Sequence, residues 1–114
     1  MSFHGANVYP ENVTVGLEQP EVAERTTGRF VLMVTESDPP RLRVVVDLAG
    51  GLSPDAARDP VVAASIQAAL ARLNSEFAHH VPAAQRVPLI EQRVTRDPEH
   101  FPVGVKHRYT RGVR

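Results

Sequence analysis

Hydrophobic and polar residues alternate through most of one segment of the chain. Within residues 41–48 every second position is apolar, a period of two that predicts a half-buried β-strand. The apolar positions are Leu42, Val44, Val46 and Leu48. A β-prone segment at residues 30–35 comes before it, and the two are joined by the polar, proline-rich residues 37–40. We therefore predict a β-hairpin.

Two helices are predicted, one before and one after this hairpin. The first begins at Pro10, because proline is tolerated at the first helical position, and Pro20 ends it. The second begins at Pro60 after the capping residue Asp59, a start that we favour over Ser53-Pro54. Along it, apolar residues recur every three or four positions, so one face should pack on a sheet. These residues are Val62, Ile66, Leu70, Leu73 and Phe77.

The order of elements predicts the fold class. A short opening strand precedes Pro10, and a last strand at residues 86–91 contains Pro88, which favours a sheet edge. The resulting βαββαβ order predicts an α+β two-layer sandwich that is ferredoxin-like, with both helices on one face of a mainly antiparallel sheet. Residues 101–114 are irregular and basic, and we expect a tail there that could be mobile.

Composition narrows the classes of partner. With 114 residues the chain can form one domain, 1–114, around a single core. Thirteen basic residues balance thirteen acidic ones, so neither nucleic acid nor a membrane surface is an expected partner. The absence of cysteine excludes disulfides and thiolate metal sites. No leader and no apolar run of roughly 20 residues is present, so we expect a soluble, cytoplasmic protein.

Few residues offer recognisable chemistry. The chain has no phosphate-binding loop, dinucleotide fingerprint or nucleophile elbow, and adjacent His79 and His80 would point apart on a helix, so no metal site is expected. Twelve of the thirteen basic residues are arginines, and the single lysine is Lys106. This ratio has two interpretations: biased codon usage, or a lysine retained because its position needs a compact ammonium group.

A segment near the start resembles a family motif. Residues 5–13, GANVYPENV, resemble the Gly-x-Asn-(Val/Ile)-(Phe/Tyr)-Pro-x-x-(Ile/Val) segment that opens the C-terminal domain of phenylacetate-CoA ligases. In that family the segment follows the hinge aspartate and packs against the large domain, and its glycine lets the pantetheine arm of CoA approach the backbone. The resemblance implies that role for Gly5 and places Asn7 among the residues that bind substrate or cofactor.

A second segment resembles the end of the same domain. The family carries Gly-Lys-x-x-Arg there, and its lysine reaches the carboxylate and α-phosphate during adenylation. Gly104 and Arg108 match the glycine and arginine, whereas Lys106 stands one position later than the family lysine and Val105 takes the usual place. The resemblance thus implies that Lys106 is catalytic and that Gly104 and Arg108 bind substrate.

The resemblance implies a catalytic lid. It would belong to an ATP-dependent acyl- or aryl-CoA ligase, which uses ATP, CoA and Mg²⁺ and whose large N-terminal adenylation domain would be the partner. The isolated chain would then be inactive and would bind none of these cofactors. Two alternatives remain open: a stand-alone ferredoxin-like (ACT-like) module that binds a small ligand or forms a homodimer, and a subunit that completes a large adenylating partner in trans.

Overall fold

A computed structural model describes residues 2–52, 59–93, 100–101 and 109–110 of the chain. Its helices and strands begin with a small amino-terminal hairpin, continue through two helices and a β-hairpin, and end with further helices and a last strand. Within these ranges no helix combines the length and the apolar character needed to cross a bilayer.

The opening segment forms its own two-stranded sheet. Strand β1 (Ser2–Phe3) pairs antiparallel with β2 (Ala6–Asn7), and Phe3 faces Ala6 across the turn. The two turn residues have positive φ angles, 50° at His4 and 80° at Gly5. Two positive φ values are what a tight two-residue hairpin turn requires, and glycine adopts them without steric cost. The predicted opening strand is therefore a hairpin outside the main sheet.

Two short helices follow, and each begins with proline. Helix α1 spans Pro10–Leu17 and α2 spans Pro20–Ala23. The predicted start at Pro10 is confirmed. Pro20 ends the first helix, as predicted, but it also begins the second, because its fixed φ and missing N–H suit the first helical position.

The main sheet has three strands in the order β3-β4-β5 within the described residues. Strand β3 (Thr26–Val34) pairs antiparallel with β4 (Leu42–Leu48), which confirms the predicted hairpin. Strand β5 (Leu89–Arg93) pairs parallel with β4 and lies at the edge, as predicted, but it starts three residues later than the predicted range 86–91 and does not contain Pro88. The parallel direction arises because a helical crossover between β4 and β5 returns the chain to the same end of the sheet.

The long predicted helix is divided in two. Helix α3 (Pro60–Leu73) is capped by the Asp59 carboxylate, which accepts a hydrogen bond from the Val61 N–H. Asn74 has φ −120° and ψ 93°, which ends α3, and α4 (Ser75–His80) begins directly after it, followed by a short 3-10 helix (Ala83–Gln85). The prediction that Leu73 belongs to the buried stripe is wrong, since it is 47% exposed.

The helices pack on one face of the main sheet. The main core joins residues of β1, β2, the helices and the inner faces of β3 and β4. It comprises Phe3, Ala6, Val8, Val13, Leu17, Val22, Phe30, Leu32, Leu42, Val44, Val46, Val62, Ile66, Leu70, Phe77 and Val81. The opposite face carries a separate outer cluster of Val31, Met33, Val45 and Phe101.

This arrangement confirms the α+β two-layer sandwich with its helices on one face. It is not a strict ferredoxin fold, because the opening hairpin lies outside the main sheet and the sheet is mixed. The physical reason for the first difference is local. A turn with two positive φ angles pairs β1 with β2, so neither strand pairs with β3, β4 or β5 among the described residues.

Helices α1 and α3 approach closely at Gly16. A Cβ atom at Gly16 would lie 2.9 Å from the Ile66 Cα and 3.1 Å from the Ser65 carbonyl oxygen. The Ser65 hydroxyl donates a hydrogen bond of 2.6 Å to the Gly16 carbonyl oxygen. Because the obstructing atoms are backbone, any side chain at position 16 must push the two helices apart.

We expect Gly16→Val to destabilise the protein by about 2 to 3 kcal/mol, because overpacking against backbone outweighs the small gain in helix propensity. Urea denaturation measures this free energy of unfolding. Gly50→Val is the matched control, since no described atom lies within 4 Å of a Cβ there, and it should change the free energy by about 0.5 kcal/mol or less. Equal effects of the two substitutions would contradict the packing argument.

Candidate functional site

The segment that carries the family resemblance contains the tip of the amino-terminal hairpin. Gly5 is exposed and has φ 80°, and no atom of the described residues lies within 4 Å of the position a Cβ would take. A ligand chain or another polypeptide can therefore come close to the backbone at this point. The structure places Gly5 where the role implied for it is sterically open.

Asn7 is exposed, but its backbone is held tightly. Its N–H donates to the Glu76 Oε2 at 2.9 Å, and its carbonyl oxygen accepts from the Asn74 Nδ2 at 2.8 Å. Both partners belong to α4 or cap it. The hairpin is thus fixed to the helix layer through main-chain groups, which leaves the Asn7 side chain on the surface beside Gly5.

Asn74 is the centre of this hydrogen-bond network. Its Nδ2 donates to the Asn7 carbonyl and, at 3.0 Å, to the Asn12 Oδ1, while its Oδ1 accepts from the Phe77 N–H at 2.9 Å. Asn12 Oδ1 also accepts from the Tyr9 N–H at 3.3 Å. Asn74 is 6% exposed and Asn12 9% exposed, so within the motif segment Asn12 serves to hold the structure together.

Sequence reasoning missed Asn74 and Glu76. Asn74 lies inside a continuous apolar pattern, which predicted a single helix through Phe77. The available signal was local: asparagine followed by Ser75 and Glu76 is typical of a helix N-terminus. The periodicity of the surrounding apolar residues concealed it.

The second predicted site segment is described only at its flanks. Gly104, Lys106 and Arg108 lie outside the described residues. On one side of them, Phe101 is buried in the outer cluster. On the other side, Tyr109 accepts a backbone hydrogen bond of 2.7 Å from the Leu32 N–H. Both flanks of the predicted catalytic segment therefore contact β3.

The outer face of the sheet also carries an arginine–glutamate network. Arg43 binds Glu91 through two hydrogen bonds of 2.7 Å, one to each carboxylate oxygen, and Arg93 donates a third of 2.7 Å. On the same face, the buried Asp47 carboxylate accepts from the Thr27 hydroxyl at 3.0 Å. These charged and polar side chains lie on the same face of the sheet as the outer cluster.

The hydrogen bonds from Arg43 hold the pKa of Glu91 below its ordinary value of 4.5, although partial burial opposes this shift. The charges of Arg43, Arg93 and His100 lower the pKa further. Glu91 is therefore an ion-pairing residue at neutral pH. A group with this direction of shift is unsuited to proton transfer near pH 7.

The surface also has a groove of about 320 Å³ between the α1–α2 connection and α3. It is lined by small apolar side chains of α3 together with Glu21 and Arg72. The apolar lining residues are Val61, Ala64, Ala68 and Ala69. This volume is at the lower end of the range of about 300 to 1,000 Å³ that small-molecule sites occupy.

In the described part of the chain, no group of three or more His, Asp or Glu side chains is arranged to hold a metal ion. No known protein-family model matches this chain, and no curated protein matches it. The candidate functional residues are therefore those in the two segments that carry the resemblance, 5–13 and 104–108.

We expect Asn74→Ala to destabilise the protein by about 2 to 4 kcal/mol, since it removes a helix cap, takes the side-chain donor from the Asn7 carbonyl and leaves the buried Asn12 Oδ1 with only the Tyr9 N–H. Chemical denaturation would measure the loss. Asn7→Ala is the control, because Asn7 enters the network through its backbone, and its effect should be about 0.5 kcal/mol or less. An equal loss of unfolding free energy in Asn7→Ala and Asn74→Ala would contradict this hydrogen-bond network.

The lowered pKa of Glu91 predicts a pH-dependent contribution to stability. The contribution should be fully present above pH 4.5 and be lost as the pH falls through the lower folded-state pKa. Glu91→Gln should thus reduce the free energy of unfolding at pH 7, by about 1 kcal/mol or less because the pair is partly exposed, and have no such effect at low pH. Denaturation at several pH values tests this, and the effect of Glu91→Gln should shrink in an Arg43→Gln background.

Proposed function

We propose that this chain is the C-terminal lid of an ATP-dependent acid–CoA ligase that resembles phenylacetate-CoA ligase. One observation supports this proposal most strongly. Gly5, the glycine of the family-like segment, occupies an exposed turn in the left-handed conformation, with open space where a Cβ would lie. That geometry is what close approach of a pantetheine arm to the backbone requires.

The support beneath Gly5 is rigid. Glu76 and Asn74 hold the backbone of Asn7, and Asn74 also ties the hairpin to Asn12 in α1. Binding surfaces that must guide a reactive group benefit from such fixed support, because little ordering is needed when the ligand arrives. It also suits a domain that moves as one rigid body between two steps of a reaction.

The proposed roles follow the two steps of the reaction. In the first, the carboxylate of the acid attacks the α-phosphate of ATP and pyrophosphate leaves; the Lys106 ammonium would neutralise developing charge, assisted by Gly104 and Arg108. In the second, the CoA thiol attacks the acyl-adenylate carbonyl and AMP leaves, with Gly5 and Asn7 beside the CoA arm. ATP and its Mg²⁺ would be held by the large partner domain.

A second candidate function is favoured by the groove beside α3. Glu21 and Arg72 place opposite charges in its lining beside apolar side chains, an arrangement compatible with a small ligand that carries both an amino and a carboxylate group. Thermal shift of the isolated chain with a panel of amino acids and aryl acids tests this function, since a specific ligand raises apparent stability. A ligand whose effect is abolished by Arg72→Gln would favour the stand-alone module over the lid.

We expect the isolated chain to show no ATP–pyrophosphate exchange, and its fusion to the large domain of a phenylacetate-CoA ligase to show exchange and thioester formation. In the fusion, Lys106→Ala should lower exchange by about 100-fold or more, because it removes an electrostatic stabiliser of the transition state. Arg111→Ala removes another basic residue near the carboxyl end and should leave exchange unchanged.

The same fusion tests Gly5. Gly5→Asn tolerates a positive φ yet places a side chain in the open approach, so thioester formation should fall while exchange is kept. Exchange by the isolated chain, or full activity of Lys106→Ala in both steps, would refute the proposed function. A co-expressed, unfused large domain that gains activity from this chain would identify it as a subunit acting in trans.

A further inference from the structure

The hairpin that carries Gly5 is too small to hold its own position. Strands β1 and β2 have two residues each, and an isolated two-stranded hairpin is marginally stable at best in water. Contacts with the rest of the chain must therefore place it. Some of these contacts are apolar, since Phe3 and Ala6, the residues on either side of the turn, are 3% and 0% exposed in the main core.

Other contacts are hydrogen bonds to the main chain of Asn7. Asn7 lies opposite Ser2 of β1, but its N–H and C=O groups bind side chains at the start of α4. In an antiparallel pair, every second residue turns these groups away from the partner strand. The Glu76 carboxylate accepts from the N–H at 2.9 Å, and the Asn74 amide donates to the carbonyl oxygen at 2.8 Å. These two side chains therefore take the place of a further strand.

The two side chains differ in what else they hold. Asn74 also donates to Asn12 and accepts from the Phe77 N–H, so its loss would disturb α1 and α4 together. Glu76 is half-buried, and within the described residues its carboxylate makes one hydrogen bond, the one to Asn7. Removal of the Glu76 carboxylate would therefore release one main-chain group of the hairpin and leave the Asn74 network in place.

Gly5 lies next to this contact along the chain. The turn consists of His4 and Gly5 alone, and the pairing of β1 with β2 closes it. The buried Ala6 is the one residue between Gly5 and Asn7. Because no unpaired residue separates the turn from the strand that Glu76 holds, a displacement of Asn7 is passed directly to Gly5.

We propose that Glu76 is a positioning residue for the thioester-forming step. By holding the Asn7 N–H, its carboxylate fixes the turn at Gly5, where the CoA arm would approach the backbone. Glu76 acts through the hairpin and does not touch CoA. The consequence in catalysis rests on the proposed function, in which Gly5 serves the second step. The hold on the hairpin can be tested without any enzyme activity, in the 114-residue chain alone.

Nitrogen-15 relaxation of the Gly5 amide, measured by NMR, tests the hold on the hairpin. We expect its order parameter to be about 0.85, the value of rigid backbone, and to fall to about 0.6 or lower in Glu76→Ala. Glu76→Gln keeps a side-chain oxygen that can accept from the Asn7 N–H, so it should keep the order parameter high. The Phe77 amide, which donates to Asn74, should exchange as slowly in both variants as in the unchanged chain, which shows that α4 stays folded.

Glu11→Ala is the matched control. Glu11 is the second residue of α1, as Glu76 is of α4, so both alanine substitutions remove a carboxylate from the first turn of a helix. Within the described part of the chain the Glu11 carboxylate accepts no hydrogen bond, so Glu11→Ala should leave the order parameter of Gly5 unchanged. An unchanged order parameter in Glu76→Ala, or an equal decrease in the two alanine variants, would overturn the hold on the hairpin.

The fused enzyme tests the positioning. In Glu76→Ala, kcat/KM for CoA in thioester formation from supplied acyl-adenylate should fall about tenfold while ATP–pyrophosphate exchange is kept, and Glu76→Gln should restore most of the lost rate. A mobile Gly5 with undiminished thioester formation, in a fusion that Gly5→Asn impairs, would overturn the positioning and leave the proposed function intact. Full thioester formation by Gly5→Asn would overturn the role of Gly5 and its positioning together, whereas relaxation would still decide whether Glu76 holds the hairpin.

Discussion

The helix layer depends on the hydrogen bonds of one buried amide. Asn74 ends α3, caps α4 through the Phe77 N–H, and donates to Asn7 and Asn12. A buried amide is stable only when its donors and acceptors are satisfied, so the hairpin, α1 and the start of α4 can pack in only one arrangement around it. Among the described residues the hairpin pairs with no strand of the main sheet, and Gly5 is exposed at its turn.

The two faces of the main sheet serve different purposes. The inner face is covered by helices and supplies the main core, in which the backbone contact at Gly16 brings α1 against α3. The outer face combines the small outer cluster with the Arg43–Glu91 pair and receives the carboxyl-terminal segment at Phe101. In the proposed lid, the residues of the thioester step would be supported by the helix layer, whereas Phe101 and Tyr109, on either side of the segment proposed for the adenylation step, contact β3.

Much of the fold could be predicted from local patterns. Alternating apolar residues predicted β4, proline predicted the start of α1, and Pro88 predicted an edge position for the last strand. The candidate site was predictable only in part. Gly5 and Asn7 were named from a motif, but the hydrogen bonds that Asn74 and Glu76 make to Asn7 join positions 67 and 69 residues apart, and no sequence period records such contacts.

The sequence by itself determined the α+β class, the central hairpin and the starts of α1 and α3, because helix and strand periods, prolines and caps act over a few residues. The tertiary structure alone decided that the opening strand pairs within its own hairpin, that β5 runs parallel to β4, and that Leu73 is exposed. It also decided that Phe101 and Tyr109 meet the same strand. These outcomes depend on which distant surfaces pack together, and a local pattern carries no information about its partner.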